Sequence, residues 1–421
     1  MLRLRPAVLA VSVLLTAALL PMAPAAGTTP PIVPTHLPYP AGGTSAIGLG
    51  VDPANQNAQP ADSVPATIKA SWHAEPPLCP QAGGSTPSTI SVAGSRTVVL
   101  DRQYQCAFLS EYNTSTGALI WRKQFGSGDF TGTAAVVGNL VYLEHENATE
   151  GTMLNAYDLV TGALRWTSYD GDSYGQLVNA FGSGLVTNED WADDALTGAH
   201  RFTIPLAPQS STDGTSFVAG NRMYYNADGD IQANSVTNGA LLWNYVKSGT
   251  VVGPGAGNAL PALHDGRLYV RAEYSSPTST TLVLDPATGR LLRTLPASDQ
   301  PIAFDGQVGI FSVTPNNQPT TISAVNLYDG HIYWRHTLPS AGPYVRPTQM
   351  ETAPVLENGL LWILDRNNAG EVHLAALDEI TGATRKIVVE PCWASAATGM
   401  LTVAQHRIFA SSECGVFTYT G

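Results

Sequence analysis

Short apolar runs separated by turns of small polar residues recur along the chain. In one copy Thr97-Val98-Val99-Leu100 follows the turn Gly94-Ser95, and in the next Leu140-Val141-Tyr142-Leu143 follows Gly138-Asn139. Short runs rich in β-branched and aromatic residues and bounded by Gly or Asn predict β-strands rather than helices. The same small turn occurs eight times, and the other copies are Ser183-Gly184, Gly220-Asn221, Asp265-Gly266, Asp305-Gly306, Asn358-Gly359 and Gln405-His406.

A second turn recurs independently of the first and leads into an aromatic residue. In one copy, Asp158-Leu159-Val160-Thr161-Gly162 is followed by Trp166, four residues beyond the glycine. The short polar side chain can close the turn by bonding backbone N–H groups, and Gly supplies the positive φ of a tight hairpin. The seven glycines of this turn are Gly117, Gly162, Gly198, Gly239, Gly289, Gly330 and Gly382. In five of the seven copies the fourth residue after Gly is Trp or Phe, which predicts packing between neighbouring units.

The length of the repeat predicts a β-propeller, because it accommodates four short antiparallel strands, the size of one blade. The eighth unit breaks off at Tyr419-Thr420-Gly421, and an unmatched strand ending at Trp72 lies at the other end of the repeats. Pairing of these two chain ends would remove a free sheet edge. We therefore predict an all-β fold over residues 67–421, an eight-bladed β-propeller whose N-terminal strand completes the last blade.

The segment before the repeats has the composition of a secretion signal and a linker. Arg3 and Arg5 precede the apolar run Ala7–Leu20, and small residues follow at Ala23-Pro24-Ala25. This order predicts a signal peptide over residues 1–25 and a secreted protein, periplasmic where the source has an outer membrane. Residues 26–66, rich in Pro and Gly, are predicted to be a linker. We expect no membrane anchor, because the apolar run is short.

The charge of the chain restricts its partners. The formal net charge is −12, and such a surface repels the phosphates of nucleic acids. We therefore expect no nucleic-acid partner; a protein or a small ligand remains open, and we expect a monomer. The sequence contains no nucleophile, metalloprotease or nucleotide-binding motif, so no catalytic residue is predicted.

The pattern Asp-x-x-Thr-Gly-x-x-x-Trp, as in Asp158–Trp166, resembles the quinoprotein-type (PQQ-like) propeller repeat. That resemblance implies an eight-bladed propeller and covers residues 67–421. The family includes dehydrogenases that hold pyrroloquinoline quinone (PQQ) and Ca²⁺, typically beneath a disulfide of adjacent cysteines. It also includes non-catalytic propellers such as an outer-membrane-assembly lipoprotein. No two cysteines are adjacent here, so we assign the chain to the non-catalytic branch and predict no PQQ.

The main functional hypothesis is a non-catalytic binding or scaffolding propeller. Two alternatives are a carbohydrate-binding or carbohydrate-active propeller and a PQQ-dependent dehydrogenase. In a propeller, the loops between second and third strands share one face, and acids occur in these loops in seven of the eight blades. We predict a ligand or partner site there, for a cation, a metal ion or a basic protein surface, formed by Glu144, Glu146, Glu189, Asp190, Trp191, Asp228, Asp230 and Glu273. A purely solubilising role for these acids is the alternative.

Two further features concern metal and cysteine chemistry. Two Asp-Gly-Asp turns, Asp170–Asp172 and Asp228–Asp230, leave Ca²⁺ open as a ligand, although neither continues into a full Ca²⁺ loop, and we predict no metal site. An even number of cysteines after a signal peptide predicts disulfides. Alignment of the first and last complete repeats places the cysteines at matching loops and predicts two pairs, Cys79–Cys106 and Cys392–Cys414.

Overall fold

The computed structural model consists of β-strands, and no helix occurs in the part of the chain that it describes. It follows that none of these residues forms a helix long and apolar enough to cross a membrane. The described residues are 64, 67–75, 77, 86–103, 106–126, 131–147, 151–169, 179–181, 184–188, 191–205, 215–227, 230–246, 250–251, 262–274, 279–295, 300–313, 321–337, 354–366, 371–393 and 400–421. The predicted signal peptide, residues 1–25, and most of the predicted linker, residues 26–66, lie outside the described residues.

Eight antiparallel sheets form the eight blades of a β-propeller, as the sequence predicted. The strands of blades 1 to 4, after the N-terminal strand β1 (Lys69–Ala74), are β2 (Thr86–Ala93), β3 (Arg96–Gln103), β4 (Cys106–Asn113), β5 (Leu119–Phe125); β6 (Thr131–Val137), β7 (Leu140–Asn147), β8 (Gly151–Asp158), β9 (Leu164–Tyr169); β10 (Asn179–Phe181), β11 (Leu185–Asn188), β12 (Trp191–Asp194), β13 (His200–Thr203); β14 (Thr215–Ala219), β15 (Arg222–Ala227), β16 (Asp230–Ser235) and β17 (Leu241–Val246).

The strands of blades 5 to 8 are β18 (Thr250–Val251), β19 (Ala262–His264), β20 (Arg267–Tyr274), β21 (Ser279–Leu284), β22 (Leu291–Leu295); β23 (Gln300–Asp305), β24 (Val308–Val313), β25 (Thr321–Asn326), β26 (Ile332–Thr337); β27 (Val355–Glu357), β28 (Leu360–Arg366), β29 (Glu371–Asp378), β30 (Thr384–Trp393); β31 (Leu401–Ala404), β32 (Arg407–Ser412) and β33 (Gly415–Thr420). In blade 5 the first strand is split, because β18 and β19 both pair with β20. First strands contact one another around the axis in blades 1 to 4 and in blades 6 to 8, and β31 of the last blade contacts β2 of the first.

The chain ends close the ring as predicted. Strand β1 pairs antiparallel with β33, with Trp72 opposite Thr418 and Ala74 opposite Val416. The Trp72 ring stacks on Tyr112 of blade 1 at 6.2 Å between ring centroids and meets Phe409 of blade 8 at 6.1 Å. The N-terminal strand therefore completes the last blade and also contacts the first.

The second repeated turn is held by its aspartate. Asp158 Oδ1 accepts from the backbone N–H of Val160 at 3.1 Å and of Thr161 at 2.8 Å, and Arg165 donates to Asp158 Oδ2. The hydrogen bond from Arg165 lowers the pKa of Asp158 to about 2. The carboxylate is therefore ionised at neutral pH and available for these bonds. The sequence prediction of a side-chain-closed turn is confirmed.

The repeated aromatic residue packs on the glycine of the next blade. A Cβ added to Gly162, whose φ is +66°, would lie 2.8 Å from Cδ2 of Trp121. Six junctions share this contact: Trp72–Gly117, Trp121–Gly162, Trp166–Gly198, Phe202–Gly239, Trp243–Gly289 and Trp334–Gly382. Each indole also donates to a backbone carbonyl of the neighbouring turn, as Trp121 Nε1 does to Leu159 O at 3.0 Å. The predicted packing between units is confirmed.

The packed part of the chain begins within the segment predicted as linker. Val64 is buried in the cluster that includes Ile68, Phe409 and Tyr419. Its backbone N–H donates to Glu357 Oε1 at 2.6 Å, and Trp362 Nε1 donates to Glu357 Oε2 at 3.3 Å. Glu357 therefore joins the N-terminal segment to blade 7.

Removal of Val64 is expected to cost stability even though β1 is retained. A chain that starts at Thr67 loses a buried apolar side chain and one charge-assisted hydrogen bond, together about 2–4 kcal/mol of the free energy of unfolding. A chain that starts at Asp62 keeps both and serves as the control. Urea unfolding of the two chains measures the difference, and equal midpoints would show that Val64 is not part of the folded unit.

Glu379 occupies the junction between blades 6 and 7. Its backbone carbonyl accepts from Trp334 Nε1 at 2.7 Å, and its side chain is buried. Burial raises the pKa of Glu379 to about 7, and the negative charges of Asp305 and Asp378 add to this effect. Blade 2 has Leu159 at the equivalent turn position, which indicates that the site is built for an uncharged group.

The stability of the propeller should fall as pH rises through this titration. With a folded-state pKa of about 7 against an ordinary value of 4.5, Glu379 contributes stability below pH 4.5 that is lost by pH 8. After allowance for partial solvent screening, E379Q should add roughly 1–2 kcal/mol at pH 8 and little at pH 4.5. Unfolding at both pH values tests this, with exposed Glu75→Gln as control. A gain of equal size at both pH values would contradict the assignment.

Candidate functional site

The loops between second and third strands form the candidate site, here called the loop face. Their flanking strands are β3 and β4, β7 and β8, β11 and β12, β15 and β16, β20 and β21, β24 and β25, β28 and β29, and β32 and β33. Because successive strands in each blade are antiparallel, these loops emerge at the same end as the connections between blades. The repeated turns that carry Gly162 and its equivalents lie at the opposite end.

Glu144, one of the predicted site residues, lies at this end of blade 2 but is buried. It stands opposite Leu154 in the ladder between β7 and β8, and its exposed fraction is 0%. Asp101 in blade 1, another acid of the same face, is 2% exposed. Neighbouring blades cover both faces of each sheet, so alternation along a second strand does not bring a side chain to solvent. These two acids therefore do not contribute an open rim of charge.

Trp191 and Asp230 are partly exposed at the first positions of the third strands of blades 3 and 4. The Trp191 ring lies against His200 at 4.3 Å between centroids, and His200 Nδ1 lies 3.3 Å from Asp193 Oδ1. Asp230 Oδ2 accepts from Asn244 Nδ2 at 3.3 Å. On neighbouring blades, the face thus presents an aromatic ring supported by an imidazole and a carboxylate supported by an amide.

The five other predicted site residues, or their side chains, lie outside the part of the chain that the structure describes. Glu189, Asp190 and Asp228 lie outside the described residues, and the side chains of Glu146 and Glu273 are likewise not described. Their membership of the site stays a prediction. Glu413, in the second-to-third-strand loop of blade 8, is partly exposed and adds a carboxylate to the same face.

Two of the four cysteines predicted to form disulfides have described side chains. Cys106, the first residue of β4, and Cys414, in the loop before β33, are not free thiols. Cys79 and the side chain of Cys392 lie outside the described residues, so the pairs Cys79–Cys106 and Cys392–Cys414 stay a prediction.

That the chain holds no PQQ stays a prediction, and it rests on the cysteines. The described cysteines, Cys106, Cys392 and Cys414, lie in blades 1, 7 and 8, and no adjacent cysteine pair exists in the sequence to cover a quinone. Within the described ranges, no three His, Cys, Asp or Glu side chains converge as metal ligands. The Asp-Gly-Asp turns suggested for Ca²⁺ fall almost wholly outside those ranges, with Asp230 alone described.

The fold and the repeated interblade contacts define an eight-bladed β-propeller of the PQQ-like class. The profile of the outer membrane protein assembly factor BamB family matches residues 65–190 and 187–388. The chain belongs to this family. The match confirms the resemblance to PQQ-like repeats; the assignment to a non-catalytic branch stays a prediction.

Solved structures show the same fold at low sequence identity. BamB from Moraxella catarrhalis is 19% identical, with a TM-score of 0.58 over 85% of this chain and 98% of that one. A quinohemoprotein alcohol dehydrogenase from Pseudomonas putida is 12% identical, with a TM-score of 0.62 over 92% and 82%. A europium-containing methanol dehydrogenase is also 12% identical, with a TM-score of 0.60 over 89% and 90%. No match was found among the curated proteins.

Proposed function

We propose that this chain is a non-catalytic binding propeller that docks a protein partner on its loop face, outside the cytoplasm. The observation that carries the proposal is the pair of partly exposed side chains on neighbouring blades, Trp191 and Asp230. Each is held by a polar neighbour of its own blade, so binding would require little side-chain ordering. Aromatic residues are the anchors most enriched at protein interfaces.

Charge favours a basic partner surface. The chain carries a net charge of −12, and Asp230 and Glu413 place carboxylates on the described part of the loop face. Opposite charges across an interface raise the association rate and disfavour wrong partners. Membership of the BamB family, whose name describes an assembly factor, is compatible with a scaffold. The predicted signal peptide would bring the chain to the periplasm or the exterior.

Position-specific photo-crosslinking in the source cell tests this function. A photoreactive residue at Trp191 or Asp230 should give a discrete adduct with one protein, whereas the same residue at Asn238 should not. Asn238 is exposed in the repeated turn of blade 4, at the opposite end of the propeller. The adduct formed from position 191 should weaken at high salt and when Glu189, Asp190, Asp228 and Asp230 are neutralised together. Equal labelling at Asn238, or no adduct at either loop-face position, would refute the proposal.

A further inference from the structure

The junction between blades 5 and 6 departs from the interblade contact described above. Arg293 stands at the position that Trp or Phe occupies at six other junctions. Within blade 5 it belongs to a cross-strand row in which Tyr269 of β20, Val283 of β21 and Arg293 of β22 lie side by side. The substitution therefore places a cation beside a buried tyrosine at the interface with blade 6.

Two other junctions show which hydrogen bonds the same cross-strand row makes when Trp stands in place of Arg293. In blade 2, Tyr142 and Trp166 both donate to the backbone carbonyl of Ala195 in blade 3, at 3.0 and 3.2 Å. In blade 4, Tyr224 and Trp243 both donate to the carbonyl of Pro286, at 3.2 and 3.1 Å. Tyrosine and tryptophan thus share one acceptor supplied by the next blade.

At the junction of blades 5 and 6, the two side chains do not share an acceptor, and two hydrogen-bond donors have none. Arg293 Nη1 donates to the backbone carbonyl of Tyr328. Among the described residues, neither Arg293 Nη2 nor the hydroxyl of Tyr269 donates to an acceptor, although both atoms are buried; the neighbour of the hydroxyl is the guanidinium of Arg267, which is itself a donor. A buried donor without an acceptor costs about 1–3 kcal/mol, so native proteins rarely retain two side by side.

A second guanidinium lies at the same place. Arg267 is positioned over the ring of Tyr328, with its Cζ 5.8 Å from the centroid. Burial raises the pKa of Tyr269, and a hydrogen bond from Arg267 together with the positive charges of Arg267 and Arg293 acts against that rise. Within the described ranges neither arginine pairs with a carboxylate, in contrast to Arg165 and Arg385 at the turns of blades 2 and 7.

We propose that Arg293, Arg267 and Tyr269 form a binding site for a small oxyanion, a carboxylate or a phosphate, between blades 5 and 6. An oxyanion would accept from Arg293 Nη2 and from the Tyr269 hydroxyl, the two donors that lack acceptors. Guanidinium groups bind such anions by charge-assisted hydrogen bonds, about twice as strong as neutral ones. Tyr328, 68% exposed, borders the site and connects it with solvent.

This site is separate from the proposed docking function. It lies near the repeated turns, at the end of the propeller opposite the loop face. The negative charge of Asp265 also acts on Tyr269 and offsets part of the positive charge there. The remaining charge favours a ligand with one or two negative charges over a polyanion.

Titration calorimetry with inorganic phosphate and with acetate, at constant ionic strength in chloride, tests the site. The wild type should bind one of the two anions, and the choice between them identifies a tetrahedral or a planar ligand. R293W, which restores the residue of the other junctions, should fold and lose binding. R290Q removes an exposed arginine of the same blade and should bind as the wild type does. No binding of either anion, or undiminished binding by R293W, would overturn the proposal.

A pair of tyrosine variants separates binding from folding. Y269F removes a buried hydroxyl that donates to no acceptor, so the free protein should be no less stable, while anion affinity should fall about tenfold or more. Y224F removes a hydroxyl bonded to Pro286 O and should lower stability without affecting anion affinity. Phosphate also stabilises proteins by exclusion from their surface, so thermal shifts are compared with those of R293W. A loss of stability in Y269F without a loss of affinity would identify Tyr269 as merely structural.

Discussion

A chain that begins at Glu75, without strand β1, is expected to aggregate rather than fold to a monodisperse propeller. Loss of β1 exposes the edge of β33 with which β1 pairs. It also exposes the ring of Phe417, on which His73 stacks at 4.3 Å between ring centroids. It also removes the Trp72 ring from between blades 8 and 1. An uncovered strand edge flanked by apolar side chains is a template for intermolecular pairing. Size-exclusion chromatography and circular dichroism measure the outcome.

Two comparisons distinguish closure from general damage. The chain that starts at Asp62 retains β1 and should unfold cooperatively. In the full chain, Trp72→Ala keeps the strand but removes the ring, and should cost about 3–5 kcal/mol. A synthetic peptide of residues 67–75 added to the shortened chain should restore part of its structure. A cooperative transition of the chain starting at Glu75 at the wild-type midpoint would rule out this account of closure.

Gly162→Ala should be among the most destabilising single-methyl substitutions in the protein, at about 3–5 kcal/mol. The new Cβ would stand 2.8 Å from the Trp121 ring at a residue whose φ is +66°. Strain from the positive φ accounts for about 1–2 kcal/mol, and displacement of the indole and its hydrogen bond accounts for the rest.

Gly94→Ala provides the matched control for this prediction. Gly94 has a φ of +58°, but nothing lies within 4 Å of the position of an added Cβ. Its substitution should therefore cost only the backbone strain. Chemical unfolding of the two variants isolates the contribution of the ring contact. If both lost the same amount of stability, the tryptophan–glycine contact would contribute nothing measurable.

The fold could be predicted because each blade repeats the same local signals. The turn of Asp158 to Gly162 specifies a hairpin by itself, and Trp166 specifies the contact to the next blade. Even the closure was predictable, since Trp72 lies about one repeat before Trp121. The bulge that shifts the pairing between third and fourth strands in all eight blades was not predicted, as between Ala156 and Tyr157 in blade 2. It depends on pairing geometry rather than on residue type.

The candidate sites were less accessible to sequence reasoning. Assigning Glu144 to a loop took no account of the neighbouring blades, which cover both faces of its strand. Arg293 was visible as an exception among the aromatic residues, but its meaning depends on Tyr269, 24 residues earlier in the chain. Two structural observations show that Arg293 and Tyr269 form one cluster: they lie in the same cross-strand row, and both carry a buried donor without an acceptor.

Closure of the ring by β1 has a consequence for biogenesis. The contact of His73 with the carbonyl of Cys414 joins residues 341 positions apart, and the ribosome synthesises the first of them long before the second. Until β33 is synthesised, β1 has no partner, whereas blades 1 to 7 contain all of their own strands. The final sheet can therefore form only after residues 415–420 have left the ribosome, and a nascent chain that stops before them remains an open array. The pairing of β1 with β33 thus acts as a checkpoint, because only a chain that contains both strands can close the ring.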